Sequence, residues 1–121
     1  MKVFHMKDLP EEEASSALLT GGKVTRQQMV TQELGKNFTF NIVNFSIGSR
    51  NYFHTHSSDQ MLLITSGTGI VATEAEEHVV SQGAAVHVPA CEKHWHGATK
   101  DTAMSHITVT SIDSKTVQLE P

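Results

Sequence analysis

A series of short β-type segments, running from Gly22 almost to the C-terminus, limits the fold more than any other feature. The segments are rich in β-branched or alternating residues and are separated by Gly, Asn, Asp or Ser: KVTRQQMV, FTFNIVNFSI, QMLLITS, GIVAT, HVVSQ, AAVHVP, SHITVTSI and KTVQLE. No long segment has the 3.6-residue period of a helix. About seven or eight strands at this spacing predict an antiparallel sandwich or barrel, because closing the sheet removes its exposed edges.

The chain is the size of one domain. Its 121 residues contain no internal repeat and no linker. We expect the barrel to occupy residues 22–121 and residues 1–21 to form a lead-in segment. The stretch DLPEEEASSALL favours a short helical or irregular structure. The lead-in is expected to lie against the outside of the barrel or to cross to a partner.

Composition excludes several classes of function. The net charge is -4 and no basic residues cluster, so nucleic acid is not an expected partner. The N-terminus lacks the apolar run of a signal peptide, and no stretch approaches the roughly 20 apolar residues that cross a bilayer. These features predict a cytoplasmic protein with no membrane contact. Cys91 is the only cysteine, so any metal must be held mostly by histidine.

Histidines are concentrated in three strand-like segments. Alternation along a strand puts the two members of each H-x-H pair on one face. A hairpin through residues 57–59 would bring Gln60 beside the first pair. A buried imidazole needs partners for both ring nitrogens, so several in one interior indicate a metal site. The five histidines concerned are His54, His56, His94, His96 and His106.

Other candidate residues have plainer interpretations. A single H-x-H is more often an exposed or hydrogen-bonded pair than a ligand pair. The three isolated histidines, His5, His78 and His87, are expected at the surface or along a strand. Cys91 is interpreted as a small turn residue, since nothing near it would lower the pKa of its thiol. Trp95 lies between two histidines and is expected to point away from them and pack.

An apolar strip predicts a subunit interface. Met61 and Leu63 alternate with the row that contains Gln60, so they are expected to face outward. An outward apolar strip on a small barrel favours a homodimer.

Two motifs resemble those of the cupin superfamily. The first cupin motif is G, five residues, H-x-H, three residues, E, six residues, G. This sequence reproduces every spacing, with glutamine where the family usually has glutamate; the matching positions are Gly48, His54, His56, Gln60 and Gly67. The resemblance implies an all-β fold, a single antiparallel barrel of the jelly-roll or double-stranded β-helix type.

The second cupin motif is matched in part. Its pattern is G, five residues, P-x-G, two residues, H, three residues, N, and the sequence matches it at Gly83, Pro89 and His94. It departs at Cys91, where glycine is usual, and at Ala98, where asparagine is usual. Cupins include isomerases, dioxygenases, decarboxylases, lyases and binding proteins, so the motifs alone do not specify a reaction.

The resemblance also implies a ligand set. By position, the metal ligands are His54, His56, Gln60 and His94, and Mn(II) or Fe(II) is the favoured ion, with Zn(II) and Ni(II) as alternatives. A neutral amide in place of a carboxylate leaves the ion its full charge and makes it a stronger Lewis acid. The alternative is that Gln60 only hydrogen-bonds His54 or His56 in a three-histidine site.

A narrower likeness concerns the reaction. The segments HTHSSDQ, EKHWHGA and TAMSHITV are similar to small bacterial cupins that include manganese-dependent hydroxynitrile lyases and cupins associated with carboxymuconolactone decarboxylase. This likeness implies that His96 and His106 line the pocket and transfer protons without binding the metal. Asn41 and Asn44 are expected among the lining residues.

Three functions stay open at this point. The first is a metal-dependent lyase that acts on a small hydroxylated or carbonyl compound. The second is a dioxygenase, which needs a metal that binds dioxygen. The third is a protein that binds a metal and a small molecule without turnover. Two titratable groups that do not bind the metal favour an enzyme over a binding protein.

Overall fold

Twelve β-strands make up the fold. The structure is a computed structural model that describes residues 1–121. Its strands are β1 (Glu12–Glu13), β2 (Leu19–Thr20), β3 (Val24–Val30), β4 (Phe38–Phe45), β5 (Arg50–Asn51), β6 (His54–His56), β7 (Gln60–Ala72), β8 (Glu77–Ser81), β9 (Ala85–Val88), β10 (Trp95–Ala98), β11 (Met104–Ser111) and β12 (Thr116–Gln118). The one helical element is the three-residue 3-10 turn Met6–Asp8, so no helix here is long and apolar enough to cross a membrane.

The strands pair in antiparallel fashion throughout. The main sheet has the order β1-β3-β4-β11-β7-β10-β5-β2, with β8 and β9 also paired to β7, and a second sheet joins β12 to β6. The all-β antiparallel prediction is therefore confirmed. The two H-x-H pairs come together because His54 and His94 form an isolated bridge between β6 and the residue before β10.

Strand β7 connects the two walls of the barrel. Its first half pairs with β9 and β11, and its second half pairs with β8 and β10. The sequence suggested two strands here, QMLLITS and GIVAT, but the structure has one continuous strand that bends. Gly67 lies at the bend with φ 73°. A Cβ there would lie 2.0 Å from the carbonyl oxygen of Ala103, so the bend requires glycine.

The prediction of a hairpin through residues 57–59 is wrong. Strand β6 pairs with β12, placing His54 opposite Gln118 and His56 opposite Thr116. Gln60 begins β7, whose partners there are Val88 and Thr110. It reaches the histidines across the interior, because β7 belongs to the main sheet and β6 to the small β12–β6 sheet.

Apolar side chains form two clusters on opposite faces of the sheet. The inner cluster contains Val24, Phe45, Ile64, Ala98 and Met104. The outer cluster contains Met29, Ile42 and Ile107 and is covered by Phe4 and Leu9. The first part of the lead-in segment thus packs on the outer face, whereas Ala14 and Leu19 pack against the inner cluster. The lead-in also contributes two short strands, β1 on β3 and β2 on β5, where a helical or irregular segment was expected.

Candidate metal centre

Three histidines meet inside the barrel. One ring nitrogen from each of His54, His56 and His94 lies within 4.8 Å of the others. His54 and His94 are each 1% exposed. Alternation along β6 turns His54 and His56 inward together, and the backbone bridge brings His94 to them. The three can hold a divalent metal ion.

Hydrogen bonds orient each ring through its Nδ1. The Nδ1 atoms lie 2.6 Å from the Tyr52 carbonyl oxygen for His54, 2.8 Å from the Glu92 carbonyl oxygen for His94, and 2.9 Å from Thr116 Oγ1 for His56. A ring that donates from Nδ1 presents an electron pair at Nε2. His56 Nε2 is buried and has no hydrogen-bond partner. All three rings are thus prepared to bind a cation through Nε2.

Burial keeps these rings neutral. It lowers the pKa of His54 and of His56 to about 4, and it also lowers the pKa of His94. The neighbouring imidazoles add to the effect at His54 and His56, because like charges would repel. Neutral imidazole is the form that binds metal, so the cluster needs little deprotonation before a cation binds.

Gln60 lies against this cluster. Its Nε2 donates to Thr108 Oγ1 at 2.9 Å, and its Oε1 lies 3.0 Å from His94 Nε2. Neutral His94 has one ring proton, and its Nδ1 donates that proton to the Glu92 carbonyl oxygen. An electron pair on His94 Nε2 therefore faces an electron pair on Gln60 Oε1. A cation that accepted both electron pairs would remove this repulsion. The donor set therefore fits a cation shared by the three histidines and Gln60.

His96 and His106 form a second buried pair beside the first cluster. His106 Nε2 lies 3.0 Å from His96 Nδ1. The two residues are 4% and 0% exposed. Burial lowers the pKa of His106 to about 4 and that of His96 well below its usual range, with the neighbouring His106 adding to the shift. Both rings are neutral near pH 7, and His106 Nδ1 is buried without a partner.

Asn51 supports this pair and was missed by the sequence reasoning. Its Oδ1 accepts a hydrogen bond from the backbone N–H of His96 at 2.9 Å, and its Nδ2 lies 3.3 Å from His96 Nε2. Asn51 is 5% exposed. Its place just after the start of the first motif did not indicate a role in the site, because its partner His96 is 45 residues away in the chain.

Five of the six predicted metal-ligating and proton-transfer residues line one cavity of about 480 Å³. The sixth, His94, is not part of its wall. Asn41 and Asn44 were expected in the wall and are absent from it, which corrects that prediction. Asn41 accepts from the Met29 backbone N–H at the bulge in β3, and Asn44 faces the outside, where it contacts Thr25 and Gln27. The lining residues are Ala14, Ser15, Ser16, Leu18, Leu19, Val24, Arg26, Gln32, Val43, Phe45, Asn51, His54, His56, Gln60, His96, His106, Thr108, Thr110, Ser114 and Thr116.

The residues given plainer interpretations behave as expected. His5, His78 and His87 are exposed. Cys91 is exposed and occupies a turn with φ 67°. Trp95 lies outside the cavity and packs under the guanidinium of Arg50, which is 3.9 Å from the ring centre. None of these side chains reaches the metal centre.

An antiparallel barrel with a histidine cluster in its interior defines a small β-barrel with a candidate metal centre. Residues 41–110 match the family described as the Cupin domain. This match covers more than half of the chain, and the chain belongs to that family. The resemblance seen in the two sequence motifs is therefore confirmed.

Individual relatives agree with this assignment. The chain is 39% identical over 79 residues to an (R)-mandelonitrile lyase of Granulicella tundricola, a match that covers 62% of this chain and 59% of the relative. A cupin-like protein of Thermotoga maritima is 28% identical, with a TM-score of 0.84 over 98% of this chain and 89% of the other. The polyketide cyclase RemF of Streptomyces resistomycificus is 15% identical, with a TM-score of 0.87 over 100% of this chain and 87% of the other; this shows a shared fold.

Proposed function

We propose that this protein is a metal-dependent lyase that cleaves a carbon–carbon bond in a small hydroxylated compound, in the manner of a hydroxynitrile lyase. The observation that carries the proposal is the neutral His96–His106 pair, which lines the same cavity as the metal-binding histidines. A binding protein has no need of two buried titratable groups beside its metal. The (R)-mandelonitrile lyase relative supports the same chemistry.

His106 is assigned the proton transfer. We assign the proton between His106 Nε2 and His96 Nδ1 to His106, which leaves His106 Nδ1 with a free electron pair. This Nδ1 takes the proton of the substrate hydroxyl while the carbon–carbon bond breaks and the carbonyl forms. The electron pair of that bond leaves with the departing carbanion, such as cyanide. The low pKa of His106 makes its protonated form a strong acid, which returns the proton to the leaving group.

The metal is held by His54, His56, His94 and Gln60 in this proposal. When bound, a divalent ion would supply the Lewis acidity that lowers the pKa of a substrate hydroxyl. Mn(II) or Fe(II) is the proposed ion, with Zn(II) and Ni(II) as alternatives, since imidazole and amide oxygen suit first-row ions. Because Gln60 is neutral, it does not reduce the positive charge at the centre.

The homodimer and the cytoplasmic location are also proposals. Met61 and Leu63 alternate with the buried row of β7 and are 40% and 45% exposed, which supports an apolar interface on this face.

The proposed function is tested by assay of the metal-loaded protein with a panel of cyanohydrins. Release of aldehyde and cyanide in equal amounts is the expected result. Oxygen uptake with no such release would indicate a dioxygenase. Binding of the panel with no turnover, for every metal tried, would indicate a binding protein. A control with the metal removed by chelation separates enzymatic release from spontaneous decomposition.

A further inference from the structure

Arg26 is the only permanently charged side chain in the wall of the cavity. The other lining residues are apolar, neutral and polar, or imidazoles, and no Asp, Glu or Lys is among them. A guanidinium stays protonated in proteins and offers five donors in a planar fork. The cavity therefore has a fixed positive charge at one place and no fixed negative charge.

The guanidinium of Arg26 has no ion-pair partner within the protein. Arg26 is exposed and takes part in none of the four ion pairs of the structure. Glu12 lies opposite it across the β1–β3 pair but does not form an ion pair with it. By contrast, Arg50 pairs with Glu120 at 2.8 Å. The fork of Arg26 is thus available to an anion at the exposed end of the cavity.

Strand register places Arg26 in line with the proton-transfer residue. Arg26 is directly opposite Val43, and Val43 is directly opposite His106. Opposed residues in antiparallel strands point to the same face of the sheet. Neighbouring strands are about 4.8 Å apart, so the backbones of Arg26 and His106 are about 10 Å apart. The wall between them is apolar, formed by Val43 and Phe45.

We infer that the substrate carries a carboxylate, which Arg26 binds at the end of the molecule remote from the reacting carbon. The fork of Arg26 matches the two oxygens of a carboxylate. The apolar middle of the substrate lies on Val43 and Phe45, and its hydroxyl lies by the histidines. The position of the hydroxyl rests on the proposed function, whereas the binding of an anion by Arg26 does not require turnover.

The test compares 4-(hydroxymethyl)benzoate with its neutral amide, 4-(hydroxymethyl)benzamide. These probes share a hydroxyl at one end and an apolar ring, and differ in charge at the other end. Binding is measured by calorimetry or NMR titration on the metal-loaded protein and again after chelation. The wild-type protein is expected to bind the acid up to about fivefold more tightly than the amide. The preference should persist without metal and decrease as salt is added.

Variants test whether the preference for the acid over the amide is due to Arg26. Arg26→Gln should remove the difference between acid and amide, and Arg26→Lys should keep part of it, because it retains the charge but not the fork. Lys23→Gln, at a nearby exposed cation, should leave the preference unchanged, and Glu12→Gln should keep or increase it. Equal binding of the two probes by the wild type, or no binding of the acid, overturns the inference. So does a preference that survives in Arg26→Gln. If the protein prefers the carboxylate but cleaves no hydroxylated compound, the missing cleavage refutes the proposed function. The binding of a carboxylate by Arg26 is then still supported.

Discussion

His106 Nε2 lies 3.0 Å from His96 Nδ1, with both rings buried in the wall of the same cavity as His54 and His56, two of the candidate metal ligands. Only one proton can lie between these two nitrogens, so the rings form one unit rather than two independent bases. The unit lies beside the metal centre because alternation on β10 and β11 turns both side chains inward.

The first prediction concerns this pair. His106→Ala should lower turnover by something like 10²- to 10⁴-fold, the usual contribution of a positioned acid or base, and leave metal content unchanged. His96→Ala should also lower turnover, because it removes the acceptor of the His106 Nε2 proton. Turnover is measured by aldehyde release and metal by elemental analysis. Loss of metal in His96→Ala would show that a ligand has been mistaken for a base, and unchanged turnover in the double variant would falsify the acid–base role.

The second prediction concerns the metal ligands. His94→Ala should abolish metal binding, because it removes one of three imidazoles that converge on the site. Gln60→Glu should retain metal while activity falls, since a carboxylate attracts the cation but lowers its Lewis acidity. Calorimetric metal titration of the two variants beside the wild type checks both statements. Full occupancy in His94→Ala would refute the assignment.

The third prediction is a loss of stability in acid for the metal-free protein. The pKa of His106 is about 4 in the fold, against a usual 6.5. Since the unfolded chain binds the proton more readily, the free energy of unfolding is highest above about pH 6.5, falls between about pH 6.5 and 4, and levels off below that range. The contribution of His106 is about 3 kcal/mol. Denaturant unfolding of His106→Gln should give a shallower pH dependence than that of the wild type.

The fourth prediction concerns Cys91, which has φ 67° where the family motif usually has glycine. Left-handed backbone costs a residue with a Cβ about 1–2 kcal/mol, and glycine loses about 0.5–1 kcal/mol through its greater freedom when unfolded. Cys91→Gly should therefore raise the free energy of unfolding by up to about 1 kcal/mol. Cys91→Val should lower it, because a β-branched residue fits this conformation poorly. Cys91→Ser controls for loss of the thiol. A Cys91→Gly variant less stable than Cys91→Ser would contradict the account.

The fifth prediction is a homodimer at micromolar concentration, tested by light scattering. Replacing the exposed Met61 and Leu63 with lysine should shift the protein toward the monomer, because charge opposes burial of the outer face of β7. The same change at exposed Val79, on another strand, is the control. A wild-type monomer would refute this prediction directly.

Sequence reasoning found the barrel and most of its site because the signals for both are local. Alternation predicted that Met61 and Leu63 face outward while Gln60 and Leu62 are buried, and the structure agrees. Motif spacing selected the three histidines that converge. The failures were non-local: QMLLITS and GIVAT form one bent strand, and β6 pairs with β12 rather than with β7. Local sequence does not encode which distant strand pairs with which.

The sequence alone determined the residue types in the centre, through the H-x-H pairs, and the direction in which each side chain points within its strand. Only the tertiary structure decided the partners of those side chains. Thr116 reaches His56 from 60 residues away, and Asn51 reaches His96 from 45. Arg26 faces the cavity because strand register aligns it with His106. Side-chain direction follows from the two-residue period of a strand, whereas contacts across the interior depend on the whole sheet closing, which no single segment specifies.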